Sequence, residues 1–140
     1  MTDNKIELVE IITDKAPPAI GPYSQAVIAG NFVFVSGQLP VDPDLNRIVK
    51  GDIEAQASRV FDNIYEILKK VELGFKDVVK VDVFLKNMDD FSKFNEIYSL
   101  SFAKGVKPAR TVVQAEIPAG ALVEVSCIAV MNKDSIILKK

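Results

Sequence analysis

The chain has no histidine among its 140 residues. That removes the side chain most often used as a general base and as a metal ligand. It has one cysteine, Cys127, which excludes an intrachain disulfide and any cysteine-cluster zinc site. Charge of one sign is also missing: 17 Lys and Arg stand against 19 Asp and Glu, for a formal net charge of −2. The lysines are spread along the chain apart from Lys139-Lys140, so nothing builds the basic field expected of a nucleic-acid binder. No apolar run reaches the roughly 18 residues that a membrane span needs. The opening Met1-Thr-Asp-Asn-Lys5 carries no signal-peptide pattern. The expectation is a cytoplasmic protein that takes neither nucleic acid nor membrane as partner.

What is present is apolar and patterned. Hydrophobic residues make up 49% of the chain and charged residues 26%, a globular balance. The length suits a single domain, 1–140, with a real core. The densest stretch runs from Pro108 to Met131, two apolar strand-like runs joined by a turn at Pro118-Ala-Gly120. It holds two opposite charges, Arg110 and Glu124, each near the start of its run. An arginine fork matches a carboxylate at two points, and a glutamate nearby can hold or activate a water. The pair reads as a small-acid site. Burial among Leu122, Val123 and Val125 should raise the Glu124 pKa, and Arg110 close by should lower it. Ionised, Glu124 accepts a hydrogen bond from water; protonated, it donates to a leaving nitrogen. The sequence leaves both forms open.

Taken in order, Ile6–Ile12 reads as a first strand. Residues 15–22 hold three prolines and a glycine, a stiffened loop without regular structure. Ala26–Ala29 and Phe32–Ser36 flank Gly30-Asn31 and predict a hairpin. Pro40 to Gly51 reads as an irregular loop. Asp52 is a candidate N-cap. Ile53, Ala57, Val60, Phe61, Ile64, Ile67, Leu68 and Val71 then recur at helical spacing, with Glu54, Gln56, Arg59, Asp62, Glu66 and Lys69 on the other face. Gly74 lies just past the expected end. Val78–Leu85 is a strand whose Lys80 and Asp82 alternate with apolar neighbours.

Asn87 or Asp89 can cap a second helix, with Phe91, Phe94, Asn95, Tyr98 and Phe102 on one stripe. Asp89 and Asp90 read as capping charge, not as a metal pair. Arg110–Ala115 and Leu122–Met131 are the last main strands, and Ile136–Leu138 could add edge pairing. Two helices on one face of a mixed sheet of about six strands make an α+β layer. The opposite, largely apolar face then has no cover in the chain, and another copy is the simplest solution.

Five segments in register are similar to one family. They are Ala16-Pro-Pro-Ala-Ile-Gly-Pro-Tyr-Ser-Gln-Ala26, Val35-Ser-Gly-Gln-Leu-Pro40, Asp90-Phe-Ser-Lys-Phe-Asn-Glu-Ile-Tyr98, Pro108-Ala-Arg-Thr111 and Pro118-Ala-Gly-Ala-Leu-Val-Glu-Val125. They resemble the Rid (YjgF) family of reactive-intermediate deaminases. The resemblance implies a chorismate-mutase-like fold, a homotrimer with inter-subunit clefts, and no cofactor. It implies hydrolysis of enamine and imine acids, 2-iminobutanoate and 2-iminopropanoate, to keto acids and ammonia. By position, Arg110 matches the residue that binds the substrate carboxylate, and Glu124 the one that positions water. Tyr23, Ser36, Gly37 and Asn95 match residues that line the cleft.

Three departures bear on substrate range. Val112 stands where many members carry cysteine, so that position offers only its backbone. The turn from Val112 to Pro118 and the segment from Tyr98 to Pro108 look short. Two other readings fit the residues less fully. A trimer that holds small carboxylates without turnover needs Arg110 but not Glu124. A ribonuclease or translation inhibitor, a label some relatives carry, conflicts with the acidic balance and the missing histidines.

Overall fold

A computed structural model describes residues 4–131. The expected edge segment Ile136–Leu138 lies outside the described residues. The elements run β1 (Leu8–Ile11), β2 (Ala26–Ala29), β3 (Phe32–Gln38), β4 (Val41–Asp42), β5 (Arg47–Ile48), α1 (Ile53–Lys69), β6 (Val78–Leu85), α2 (Phe91–Ser101), β7 (Ala109–Gln114) and β8 (Val123–Val130). Six strands form one mixed sheet in the order β1-β2-β3-β8-β6-β7, in which only β6 and β7 run parallel. This is the expected α+β layer.

Alternation along the strands sorts the two faces. Val33, Val35, Val81, Val83, Leu85, Val123, Val125 and Cys127 point toward α1 and α2 and are buried. The opposite face carries Phe32, Phe34, Phe84, Ser126 and Ile128, with Phe32 and Phe34 each 45% exposed and their rings 6.4 Å apart. On this face Lys80 forms an ion pair with Asp82 and also donates to Thr111 Oγ1 at 3.4 Å. Between the helices and the sheet, Phe61 is the hub of an aromatic cluster. Phe75, Phe94, Tyr98 and Phe102 all lie about 6 Å from its ring.

Asp52 caps α1 as expected, accepting from Ala55 N at 3.2 Å. Four details differ from the sequence reading. The segment 40–51 is not irregular: β4 and β5 pair as a small ribbon. The left-handed residue after α1 is Glu72, at φ 62°, whereas Gly74 is extended and starts a short 3₁₀ turn at Phe75–Asp77. Asn87 caps a separate turn at Met88–Asp90, not α2, and Asp90 stands before α2 without a side-chain capping bond. Gln56 is buried rather than on the solvent face, because the loop before β8 reaches it. Among the described residues no helix is long and apolar enough to cross a membrane.

Candidate active site

The structure sorts the expected site residues into two groups. The first gathers at a break in β3. Between β3 and β8, Val35 pairs with Cys127 and Gln38 with Val125, so Ser36 and Gly37 together oppose Ser126. Such a bulge re-aims the bulged strand locally. Its effect is that the Gly37 Cα comes against the Glu124 carboxylate. A Cβ built on Gly37 would lie 3.0 Å from Glu124 Cδ and closer still to Oε2. Burial alone raises the pKa of the half-buried Glu124. The Ser36 hydroxyl donates to Ser24 O at 2.6 Å, and Ser36 N to Gln25 O at 3.0 Å. Ser36 thereby fastens the segment that carries Tyr23.

The proline-rich loop forms the wall facing Gly37. Pro17, Pro18, Ile20, Tyr23, Gly37 and Gln38 line a cavity of about 100 Å³. Tyr23 is half exposed, and its hydroxyl oxygen accepts weakly from Ile20 N at 3.4 Å. Gln25 holds this loop. It is buried, accepts from Thr13 N at 2.8 Å, and donates to the carbonyls of Thr13, Ala16 and Pro17 at 3.0, 3.3 and 2.8 Å. One side chain therefore satisfies the backbone of a segment whose prolines preclude ladder bonds.

Helix α1 supports the same half from below. Gln56 Oε1 accepts from Leu122 N at 2.8 Å, two residues before Glu124. Asn63, fully buried, donates to Leu39 O at 3.2 Å and Val41 O at 2.9 Å. Sequence reading missed Gln25, Gln56 and Asn63 as supports. The available signal was the amide type: Asn63 lies three residues after Val60 and four before Ile67 on a helix whose apolar stripe was already marked, and a buried amide needs partners.

The second group gathers at α2 and the sheet edge. Arg110 pairs across β6 with Val81, on the face covered by the helices. Its guanidinium carbon lies 4.6 Å from the Tyr98 ring centroid and 5.5 Å from that of Phe91. Arg110 Nη1 donates to Asn95 Oδ1 at 2.7 Å. Asn95 and Arg110 open onto a cavity of about 650 Å³. Among the described residues, Arg110 has no carboxylate within ion-pair distance. Val112, expected at the site, lies on the same face as Arg110, pairs with Val83 and packs against the core.

The expected proximity of Arg110 to Glu124 does not hold within one chain. Glu124 pairs with Phe84, on the open face of the sheet. Arg110 lies on the helix side, three residue levels away along β6. Arg110 accordingly has no part in the pKa of Glu124. It acts instead on Tyr98, whose pKa burial raises and Arg110 lowers. Cys127 is buried, and burial pushes its thiol up to about 12, as befits a small core residue.

The sheet thus carries a bulge-held glutamate on one face and a stacked arginine on the other. The sequence model of the family described as Endoribonuclease L-PSP matches residues 13–131. A RutC family protein of Pyrococcus abyssi is 51% identical over 120 residues, covering 85% of this chain and 94% of that one. The mouse 2-iminobutanoate/2-iminopropanoate deaminase is 45% identical over 123 residues, covering 87% of this chain and 90% of the relative. The crystal structure of Escherichia coli TdcF with bound serine superposes with a TM-score of 0.84 at 36% identity, covering 89% of this chain and 99% of the other. The chain belongs to the Rid/YjgF family, which also goes by the names RutC and endoribonuclease L-PSP.

Proposed function

We propose that this protein hydrolyses 2-imino and enamine acids, with 2-iminobutanoate and 2-iminopropanoate as substrates, to 2-keto acids and ammonia. The reaction takes place in clefts between copies of a homotrimer. The observation that carries this reading is Arg110: an arginine held by Asn95 and stacked on Tyr98, yet without a carboxylate partner among the described residues. A fixed guanidinium with no counter-charge is a receptor for an anionic ligand. The mouse relative supports the reaction class, and the serine bound to TdcF supports a small amino-acid-like ligand.

The chemistry follows from the two halves. Arg110 clamps the substrate carboxylate and turns a loose encounter into an oriented one. Glu124 accepts a proton from water as the water oxygen bonds to the imine carbon. The resulting carbinolamine takes that proton on nitrogen, ammonia leaves, and the carbonyl forms as the hydroxyl proton passes back to the Glu124 carboxylate. A carboxyl with a raised pKa suits both the acceptance and the return of that proton. Tyr23, Ser36 and Gly37 wall the cleft, and Val112 contributes its backbone. No cofactor enters the scheme.

Because the halves lie on opposite faces of the sheet, a neighbour supplies Glu124 to each Arg110. The exposed Phe32 and Phe34 support burial of that face against another copy. The test is release of keto acid and ammonia from 2-iminobutanoate made in situ. Arg110→Ala is expected to lose about 30- to 3,000-fold in kcat/KM, the equivalent of about 2–5 kcal/mol. No acceleration by the folded native protein would overturn the deaminase reading in favour of a carboxylate-binding trimer. Sedimentation of a stable monomer at micromolar concentration would overturn the composite cleft.

A further inference from the structure

The cavity at Arg110 holds a second fixed cation. Lys107 lines it three residues before Arg110, and its ammonium donates to Phe102 O at 2.7 Å and Ala103 O at 3.2 Å. These carbonyls belong to the C-terminal end of α2, where a cation is favoured. Surface lysines usually sample many rotamers; this one is tethered at its tip. Two of its three N–H donors are used, which leaves one for a ligand.

The cavity has no Asp or Glu in its lining, and among the described residues neither Lys107 nor Arg110 has a carboxylate within ion-pair distance. Even with a neighbour's Glu124 at the cleft, two fixed cations leave the space net positive, which favours a ligand with two negative groups. The volume agrees. About 650 Å³ falls in the range of roughly 300–1,000 Å³ that holds far larger ligands than a four-carbon acid.

We infer that this site takes dicarboxylic 2-imino acids, with Arg110 on the carboxylate next to the imine and Lys107 on the distal one. The inference rests on the deaminase reading for its reaction and on the cavity for its selectivity. Such imines arise from two-electron oxidation of acidic α-amino acids, so an oxidase or dehydrogenase of that class would supply the substrate. Water adds to C=N and ammonia leaves, giving a dicarboxylic 2-keto acid. Ser99 and Asn95 line the same cavity.

Calorimetry with keto-acid products tests the selectivity without depending on turnover. The probes are 2-oxoglutarate and 2-oxobutanoate, measured on the native protein, Lys107→Met and Lys107→Arg. The native protein is expected to prefer the dicarboxylate by about tenfold or more. Lys107→Met is expected to lose most of that ratio, and Lys107→Arg to keep it. Native preference below about threefold, or equal weakening of both ligands in Lys107→Met, would overturn the inference. The second outcome would mean that Lys107 serves only to fasten the end of α2. Hydrolysis is followed in the same samples, with imines made in situ from glutamate and from 2-aminobutanoate. A native protein that keeps the dicarboxylate preference but hydrolyses neither imine would refute the deaminase reading and support the selectivity.

Discussion

Arg110 and Glu124 occupy opposite faces of one sheet: Arg110 is level with the buried Val81 under the helices, and Glu124 with Phe84 on the open side. No rotamer change brings two side chains through a sheet. A site that uses both therefore needs two copies. This predicts complementation between dead variants. Arg110→Ala and Glu124→Ala, each inactive alone, are unfolded together, refolded and assayed. With random assembly about a quarter of the clefts would draw an intact Arg110 and an intact Glu124 from different copies. Recovery of roughly that share of native activity is expected. No recovery from properly assembled mixtures would place both groups in one subunit's site.

Gly37 is where the Glu124 half is most sensitive. Its φ is not in the left-handed region, so Gly37→Ala brings no backbone strain. The new methyl would meet the Glu124 side chain from Cγ to Oε2 and push the carboxylate aside. Misplacement of a reacting group by about 1 Å costs on the order of 10²-fold. We expect kcat/KM to drop by about that factor while the thermal midpoint changes little. An alanine variant with native activity would remove Glu124 from the chemistry, or at least from its present position.

The pH dependence has a definite sign. Burial raises the Glu124 pKa above its ordinary 4.5, so the folded state favours the protonated form. Stability from this group is full below about 4.5 and declines as pH rises through the higher folded value. Activity that needs the carboxylate as proton acceptor moves the other way and grows over the same window. Glu124→Gln should flatten the stability profile and abolish the activity limb. An unchanged acid limb in the Gln variant would assign it to another group.

Gln25→Ala removes four hydrogen bonds from the proline-rich loop. Buried backbone groups left without partners cost about 1–3 kcal/mol. The expected result is a lower thermal midpoint and faster proteolysis within residues 13–22. An unchanged cleavage rate there would mean that the prolines alone hold the loop.

The sheet and both helices were legible because their periods are clean. Val78–Leu85 alternates strictly, and Ile53 to Leu68 keeps a stripe at helical spacing, so burial on one side follows from pattern alone. The pair at Val41–Asp42 and Arg47–Ile48 was not legible, because two-residue strands leave no period to read. The left-handed residue at Glu72 was hidden by a nearby glycine that is the commoner choice. The candidate site divides in the same way. Residue types at Arg110, Glu124 and Gly37 point to carboxylate recognition and water activation. Alternation within β8 already sets Glu124 opposite Val123 and Val125, but β7 shows no such alternation, so the side Arg110 takes depends on its register with β6. The supports Gln25, Gln56 and Asn63 act on backbone groups 12, 66 and 24 positions away, beyond any local window.

The two halves of the site rest on different helices. Gln56 and Asn63 tie α1 to the segments before Glu124 and after Gly37, whereas Arg110 leans on Tyr98 and Asn95 of α2. Under the proposed mechanism, water activation and ligand choice are therefore modular. On that reading, drift along α2 and the loop to Pro108 can retune which acid is accepted without disturbing the water-activating half, and one scaffold can diversify in diet while its reaction stays the same.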